Sequence, residues 1–184
     1  MSFDLAGNGM VGLTREALVS LRSVLFRDAG ANAAAYLQEA GYAGGNAMHE
    51  AFGKWCESRG LGAPENMAAP EFQGRAAEFF WELGWGVVIV GTLHDSVMTI
   101  DSDNWAESDP ASAMQFPGCY LSAGLLADFF GRIAGTQLVV MEVECRSMGS
   151  DRCRFLVGSS ETLQHVYDGM TQGVPYDAAL AQMA

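Results

Sequence analysis

Two cysteines eight positions apart, Cys145 and Cys153, flank the loop RSMGSDR in the stretch VVMEVECRSMGSDRCRF, and two glutamates, Glu142 and Glu144, stand just before the first of them. In an antiparallel hairpin, residues directly opposite on one face have Cβ atoms about 4.5–5.5 Å apart, so both sulfurs can face one metal ion. A third sulfur is available from Cys119, just after Pro117 and Gly118. That is the first turn of a helical pattern, where the dipole favours thiolate over thiol. Cys119 shares a helical stripe with Leu126, Phe130 and Ile133 and so should face the sheet. A carboxylate would complete a tetrahedron, but strand parity objects. Glu142 lies three positions from Cys145 and Glu144 lies next to it, so in a regular strand both point to the other face. Either one needs a bulge or an early turn. Spacing supports the three sulfurs and leaves the carboxylate open between Glu142 and Glu144.

The elements that must position these residues are legible from periodicity. QLVVMEVEC and RCRFLV read as the two arms of a hairpin, and CYLSAGLLADFFGRIAG as the helix that carries Cys119. Upstream, VVIVGTL and SVMTI, separated by HD, read as adjoining strands. Residues 71–83 place Phe72, Ala76, Phe79, Phe80 and Leu83 on one helical face. Residues 14–29 put Leu18, Leu21, Val24 and Leu25 on a stripe, with Thr14 as N-cap and Gly30 as stop. The next helical stretch, up to Ser58, contains Gly41, Gly44 and Gly45, which suggests two helices or one bent helix. SSETLQHVYDGMT and YDAALAQM read as closing helices. The expected fold is α+β, with helices packed on a mainly antiparallel sheet. It forms a single domain over 1–184, with N-terminal helices in 1–70, a metal-bearing core in 71–160 and closing helices in 161–184.

Composition narrows the functional classes. A chain of 184 residues can bury about two thirds of its unfolded surface, so it needs no metal merely to possess a core. The formal net charge is −12, with Lys54 the only lysine, which argues against nucleic acid and against anionic membrane surfaces as partners. No apolar run approaches the roughly 20 residues a membrane helix requires. The first ten residues lack the basic and apolar regions of a signal peptide, so cytoplasm is the expected compartment, and there thiols more often serve metals or catalysis than disulfides. No Rossmann glycine pattern follows a strand, there is no P-loop, and no serine or cysteine sits in a recognisable nucleophile context, so no catalytic residues are assigned.

The segments GCYLSAGLLADFFGRIAG and VVMEVECRSMGSDRCRFLV, and more loosely the aromatic helix ending in WELGWG, resemble the 4-vinyl-reductase domain family. These are small ligand-binding domains related to the sensor domains of phenol-responsive transcriptional activators and, in fold, to subunits of a vesicle-tethering complex. The resemblance covers the C-terminal half well and the first 70 residues only by helix pattern. It implies a zinc site made by Cys119, Glu142, Cys145 and Cys153, and so chooses Glu142 over Glu144. Four protein ligands leave no open position for water, so the zinc is expected to be structural. Arg146, Arg152 and Arg154 are expected to offset its surplus negative charge.

The expected function is binding or sensing of a hydrophobic, aromatic small molecule. The expected contacts are Trp55, Phe80, Trp81, Trp85, Trp105 and Tyr120, with His94 as polar anchor. The competing reading of the same aromatics is core packing, with Trp81 at a subunit interface. The resemblance also implies a homodimer through N-terminal helices and, since this chain shows no effector domain, a separate effector protein. Two rival functions are a tetrapyrrole reductase or substrate carrier, which the family name implies, and a protein–protein scaffold. Cys56 is expected in the core.

Overall fold

The computed structural model describes residues 4–183, so residues 1–3 and 184 of the expected 1–184 span lie outside the described residues. Six α-helices and four strands follow among the described residues, in the order α1 (Arg15–Ala29), α2 (Asn32–Ser58), α3 (Ala69–Glu82), β1 (Ile89–His94), β2 (Val97–Ser102), α4 (Tyr120–Ala134), β3 (Val139–Glu144), β4 (Cys153–Gly158), α5 (Ser160–Thr171) and α6 (Tyr176–Leu180). The strands form one antiparallel sheet of order β1-β2-β4-β3. The fold is α+β, as the sequence pattern predicts.

Period-two alternation divides the sheet between two cores. Val90, Ile100, Val140, Phe155 and Val157 point to one face and join Phe52, Phe79, Phe129 and Trp105 beneath α2, α3 and α4. Val97 and Leu156 point to the other, where Leu163 and Val166 of α5 and Leu180 of α6 cover them. Around that second core runs an ionic network. Arg154 pairs with Asp101 directly across β2 and β4, Arg152 holds Glu144, and the Tyr176 hydroxyl donates to Glu144.

The glycine-containing stretch is one continuous 27-residue helix, not two. Its glycines serve close packing on α4, the most extensive helix contact in the fold. A Cβ at Gly41 would land on the Leu121 carbonyl group, with Leu125 N 2.9 Å away, and one at Gly124 would land on the Gln38 carbonyl group, with Tyr42 N 2.8 Å away. The two backbones therefore approach as closely as helices can, and only glycine fits on either side of the seam.

α1 begins at Thr14, whose side chain accepts from Ala17 N, and ends at Gly30. Its buried face differs from the apolar stripe. Leu18 and Arg22 are buried, whereas Leu21 is 47 % and Val24 39 % exposed. An arginine has taken the inward position because the loop after β2 and the β3–β4 turn present backbone and hydroxyl acceptors there.

Candidate functional site

Cys119 stands at the N-cap of α4, Cys145 just past the end of β3, and Cys153 at the start of β4. The structure brings their sulfurs and a Glu142 oxygen within 4.8 Å of one another, all four residues buried. A β-bulge supplies what strand parity denies. Glu142 pairs with Phe155 and Glu144 with Arg154, so two residues of β3 advance against one of β4. The extra residue, Val143, returns Glu142 and Cys145 to the same face, while Glu144 turns outward to Arg152 and Tyr176. The structure thus separates the two carboxylates that spacing alone leaves open.

The donor set fits a tetrahedral dication. Cys119 Sγ lies 3.9 Å from Cys145 Sγ and 4.0 Å from Cys153 Sγ. Ligands about 2.3 Å from a central zinc stand about 3.8 Å apart, whereas a disulfide needs about 2.05 Å. All four cysteines are free thiols. Glu142 accepts from Cys119 N at 2.9 Å through one oxygen, and its other oxygen, Oε1, is buried without a partner. A buried orphan oxygen beside three sulfurs is what a carboxylate ligand leaves when the ion is taken out of account.

Charge points the same way. Burial pushes the Cys119 thiol well above its ordinary value and lifts Glu142 to about 8. Cys145 is shifted down, because the Cys119 and Cys153 thiols donate to it. Left to itself the cluster therefore holds little more than one negative charge, and only a cation would favour full ionisation. The helix-dipole expectation for Cys119 is outweighed here by burial. Arg152 and Arg154 do not neutralise the cluster, because Asp101, Glu144 and Tyr176 occupy them on the opposite face of the sheet.

Glu107 positions α4. The carboxylate is fully buried and accepts from Leu121 N at 3.1 Å, Ser122 N at 2.7 Å and the Ser122 hydroxyl. It supplies the cap that the Cys119 side chain does not. Burial raises it to about 7 against those stabilising donors. Sequence reasoning missed Glu107, since nothing in WAESDP marks it as a cap for a helix 13 residues further on.

A cleft of about 670 Å³ opens directly against the cluster. Cys119 and Glu142 form its back, Met141, Leu163 and Met170 give apolar walls, and Phe116, Tyr120 and Tyr167 add rings. Burial raises Tyr120 above its ordinary value, which keeps its hydroxyl protonated.

The seven expected ligand contacts do not converge on this cleft. Only Tyr120 lines it. Trp55 and Phe80 belong to the inner core, where Trp55 stacks on Phe52 at 5.8 Å, donates to Glu82 and carries the Arg59 guanidinium over its ring. Trp105 is buried against Trp85 at 5.3 Å and donates to Ser122 Oγ at 2.7 Å. Trp85 lines a separate hollow of about 460 Å³ beside α1. Trp81 is 58 % exposed on the outer face of α3, and His94 bonds Ser96 in the β1–β2 turn. The aromatic rings interlock with one another and leave no box between them. Cys56 is in the core, with burial lifting its thiol to about 11.

An antiparallel sheet flanked by helices, with a buried cluster of three cysteines and a glutamate joining a helix N-terminus to a hairpin, defines a small α+β domain of the sensor and tethering-subunit kind. The chain carries a 4-vinyl-reductase domain: residues 98–159 match that family's model, and the matched segment includes all four cluster residues. Among solved structures, the phenol-responsive sensory domain of the transcription activator PoxR, crystallised with phenol, is similar at 19 % identity and TM-score 0.65, over 83 % of this chain and 77 % of that one. A trafficking protein particle complex subunit 3 from Naegleria fowleri, covalently bound to palmitic acid, is similar at 12 % identity and TM-score 0.58, over 78 % of this chain and 91 % of that one. A vinyl-4-reductase family protein from Methanocaldococcus jannaschii matches at 23 % identity and TM-score 0.46, over 66 % of each chain. No curated protein matches the chain in sequence. Among the described residues, no helix is long and apolar enough to cross a membrane.

Proposed function

We propose that this protein is a small-molecule binding or sensing module in which a structural zinc, held by Cys119, Glu142, Cys145 and Cys153, fixes one wall of a cleft for a hydrophobic, aromatic ligand. The observation that carries the proposal is shared construction. The cleft is backed by two of the four cluster residues, so an ion joining α4 to β3 also sets the shape of the binding wall. Its volume, about 670 Å³, lies in the range of ligand pockets, roughly 300–1,000 Å³. That weighs against a filled scaffold. Its lining is mostly apolar, with Gln38, Gln164 and the Tyr120 hydroxyl available to orient a polar substituent. The fold shared with a phenol-responsive sensory domain supports this ligand class by analogy.

With four protein ligands the ion would have no open position, so its part is to hold structure and not to activate water. The exposed Leu21 and Val24 of α1, with Tyr36 and Tyr42 of α2, offer an apolar surface for a homodimer through the N-terminal helices. Transmission to a separate effector would then follow from movement at that surface. Free thiols suit a reducing compartment such as the cytoplasm.

Native mass spectrometry of freshly purified protein, followed by phenol titration, tests the reading. We expect one zinc per chain and phenol binding that Gln164→Trp, at an exposed position on the cleft rim, abolishes without loss of helicity. Phenol binding unaffected by Gln164→Trp, or none in zinc-loaded protein, would refute it.

A further inference from the structure

Arg22 sits four residues after Leu18 on the inward face of α1 and is 1 % exposed. Its Nη1 donates to the Glu107 carbonyl at 2.6 Å and reaches Ser147 Oγ at 3.4 Å. Nη2 is equally buried and has no partner. Among the described residues no carboxylate comes within ion-pair distance of this guanidinium. The neighbouring acid, Glu107, has its oxygens taken by the start of α4. A guanidinium does not deprotonate in a protein, and burying one without a counter-charge is strongly unfavourable. The chain therefore keeps a cation whose partner it does not itself supply.

Arg22 lines a cavity of about 730 Å³ between α1, the start of α2 and the loop 112–116. The other walls are largely apolar, with Phe26 at 6.1 Å from Phe116 and 5.9 Å from Tyr120, and Ala34 on the α2 side. Two hydroxyls in the lining are already spent, Ser23 on the Val19 carbonyl and Ser112 on the Asp109 carbonyl. The point where a Cβ on Gly118 would stand is 2.5 Å from Met114 Sδ and 3.5 Å from Arg22 Nη1. The flexible Met114 thioether thus lies beside the guanidinium, where an entering group can displace it. One cation and few free donors suit a singly charged anion on an apolar body, whereas a phosphate dianion would need further positive charge.

We infer that this cavity is a second ligand site, which takes an organic carboxylate with its oxyanion on Arg22 and its apolar body among the rings of Phe26, Phe116 and Tyr120. The site is distinct from the cleft beside Cys119 and does not depend on what that cleft binds. Phe116 and Tyr120 line both spaces and stand between them. With a net charge of −12 the chain repels anions at long range, so recognition must come from the short-range pair.

Calorimetric titration of the full chain with benzoate and, separately, with benzyl alcohol tests the inference. Benzoate should bind with a dissociation constant of about a millimolar or below, and benzyl alcohol about ten- to a hundredfold more weakly, the range expected for loss of one charged hydrogen-bonded contact. Arg22→Gln should weaken benzoate by a similar factor, and Ala34→Phe should block it by filling the cavity. Gln164→Trp should leave it unchanged. If Arg22→Gln does not fold, Ala34→Phe and the comparison of the two probes on the unaltered protein decide. Absence of benzoate binding, equal affinity for both probes, or benzoate binding removed by Gln164→Trp and not by Ala34→Phe would overturn the inference. Loss of phenol binding in the cleft would leave it standing.

Discussion

Replacing Glu107 with glutamine should invert its own effect on stability between acid and neutral pH. The folded carboxyl titrates at about 7 and an unconstrained one at 4.5. The folded state therefore holds its proton more tightly, and the stability associated with this group is fully present below pH 4.5. As pH rises the unfolded chain ionises first, and stability falls until the folded carboxyl also ionises near pH 7. At about 1.4 kcal/mol per pH unit, the loss across that window is about 3 kcal/mol. Glutamine does not titrate, but it keeps only one acceptor for the Leu121 and Ser122 donors, a capping loss of about 1 kcal/mol. The variant should thus be about 1 kcal/mol less stable than the parent at about pH 4.5 and about 2 kcal/mol more stable at about pH 7.5. Urea unfolding at a series of pH values, followed by tryptophan fluorescence, measures both. Groups common to the two proteins, Glu142 among them, cancel in the difference. A difference that stays constant across this range would show that burial does not govern this carboxyl and would refute the reasoning.

The α2–α4 seam gives a paired test by chemical denaturation. Gly124→Ala, whose methyl group would fall on the Gln38 carbonyl, should cost about 3 kcal/mol or more, whereas Gly53→Ala, in the long helix α2 with open space around it, should gain about 0.5–1 kcal/mol. Elemental analysis should find one equivalent of zinc in the parent and in Cys56→Ser, and a loss of that equivalent in Cys145→Ser; equal zinc in all three would remove the metal assignment. Tyr176→Phe removes the hydroxyl shared by Glu144 and Arg154 on the far face of the sheet, and should lower stability by about 1 kcal/mol while leaving zinc content unchanged.

What the sequence discloses divides along physical lines. The hairpins and the helix after Gly118 are legible because one face of each is buried, which writes period two or 3.6 directly into residue type. Cys119, Cys145 and Cys153 can be grouped because hairpin geometry and a helix start leave few arrangements. Gly41, Gly44 and Gly45 mislead, since glycine marks a helix break and a close helix crossing with the same letter. The aromatics mislead for a related reason. A ring that packs against other rings looks in sequence like a ring that waits for a ligand, and Trp55, Phe80 and Trp105 are of the first kind. Arg22 carries a weak signal, four residues from Leu18 on an inward stripe, which a charged residue on an amphipathic helix normally hides. Glu107 carries none, because its partners lie across a turn that only the folded chain closes.

The slip of a single residue at Val143 means that inward and outward chemistry on β3 are held in phase by one insertion. Deleting that residue would keep every side chain the centre uses, yet would aim the Glu142 carboxylate at the arginines on the far surface and leave three sulfurs facing each other around an uncompensated hole. An acid and a thiol an odd number of steps apart on one strand are therefore a mark of irregular backbone that can be looked for in other chains before any coordinates exist.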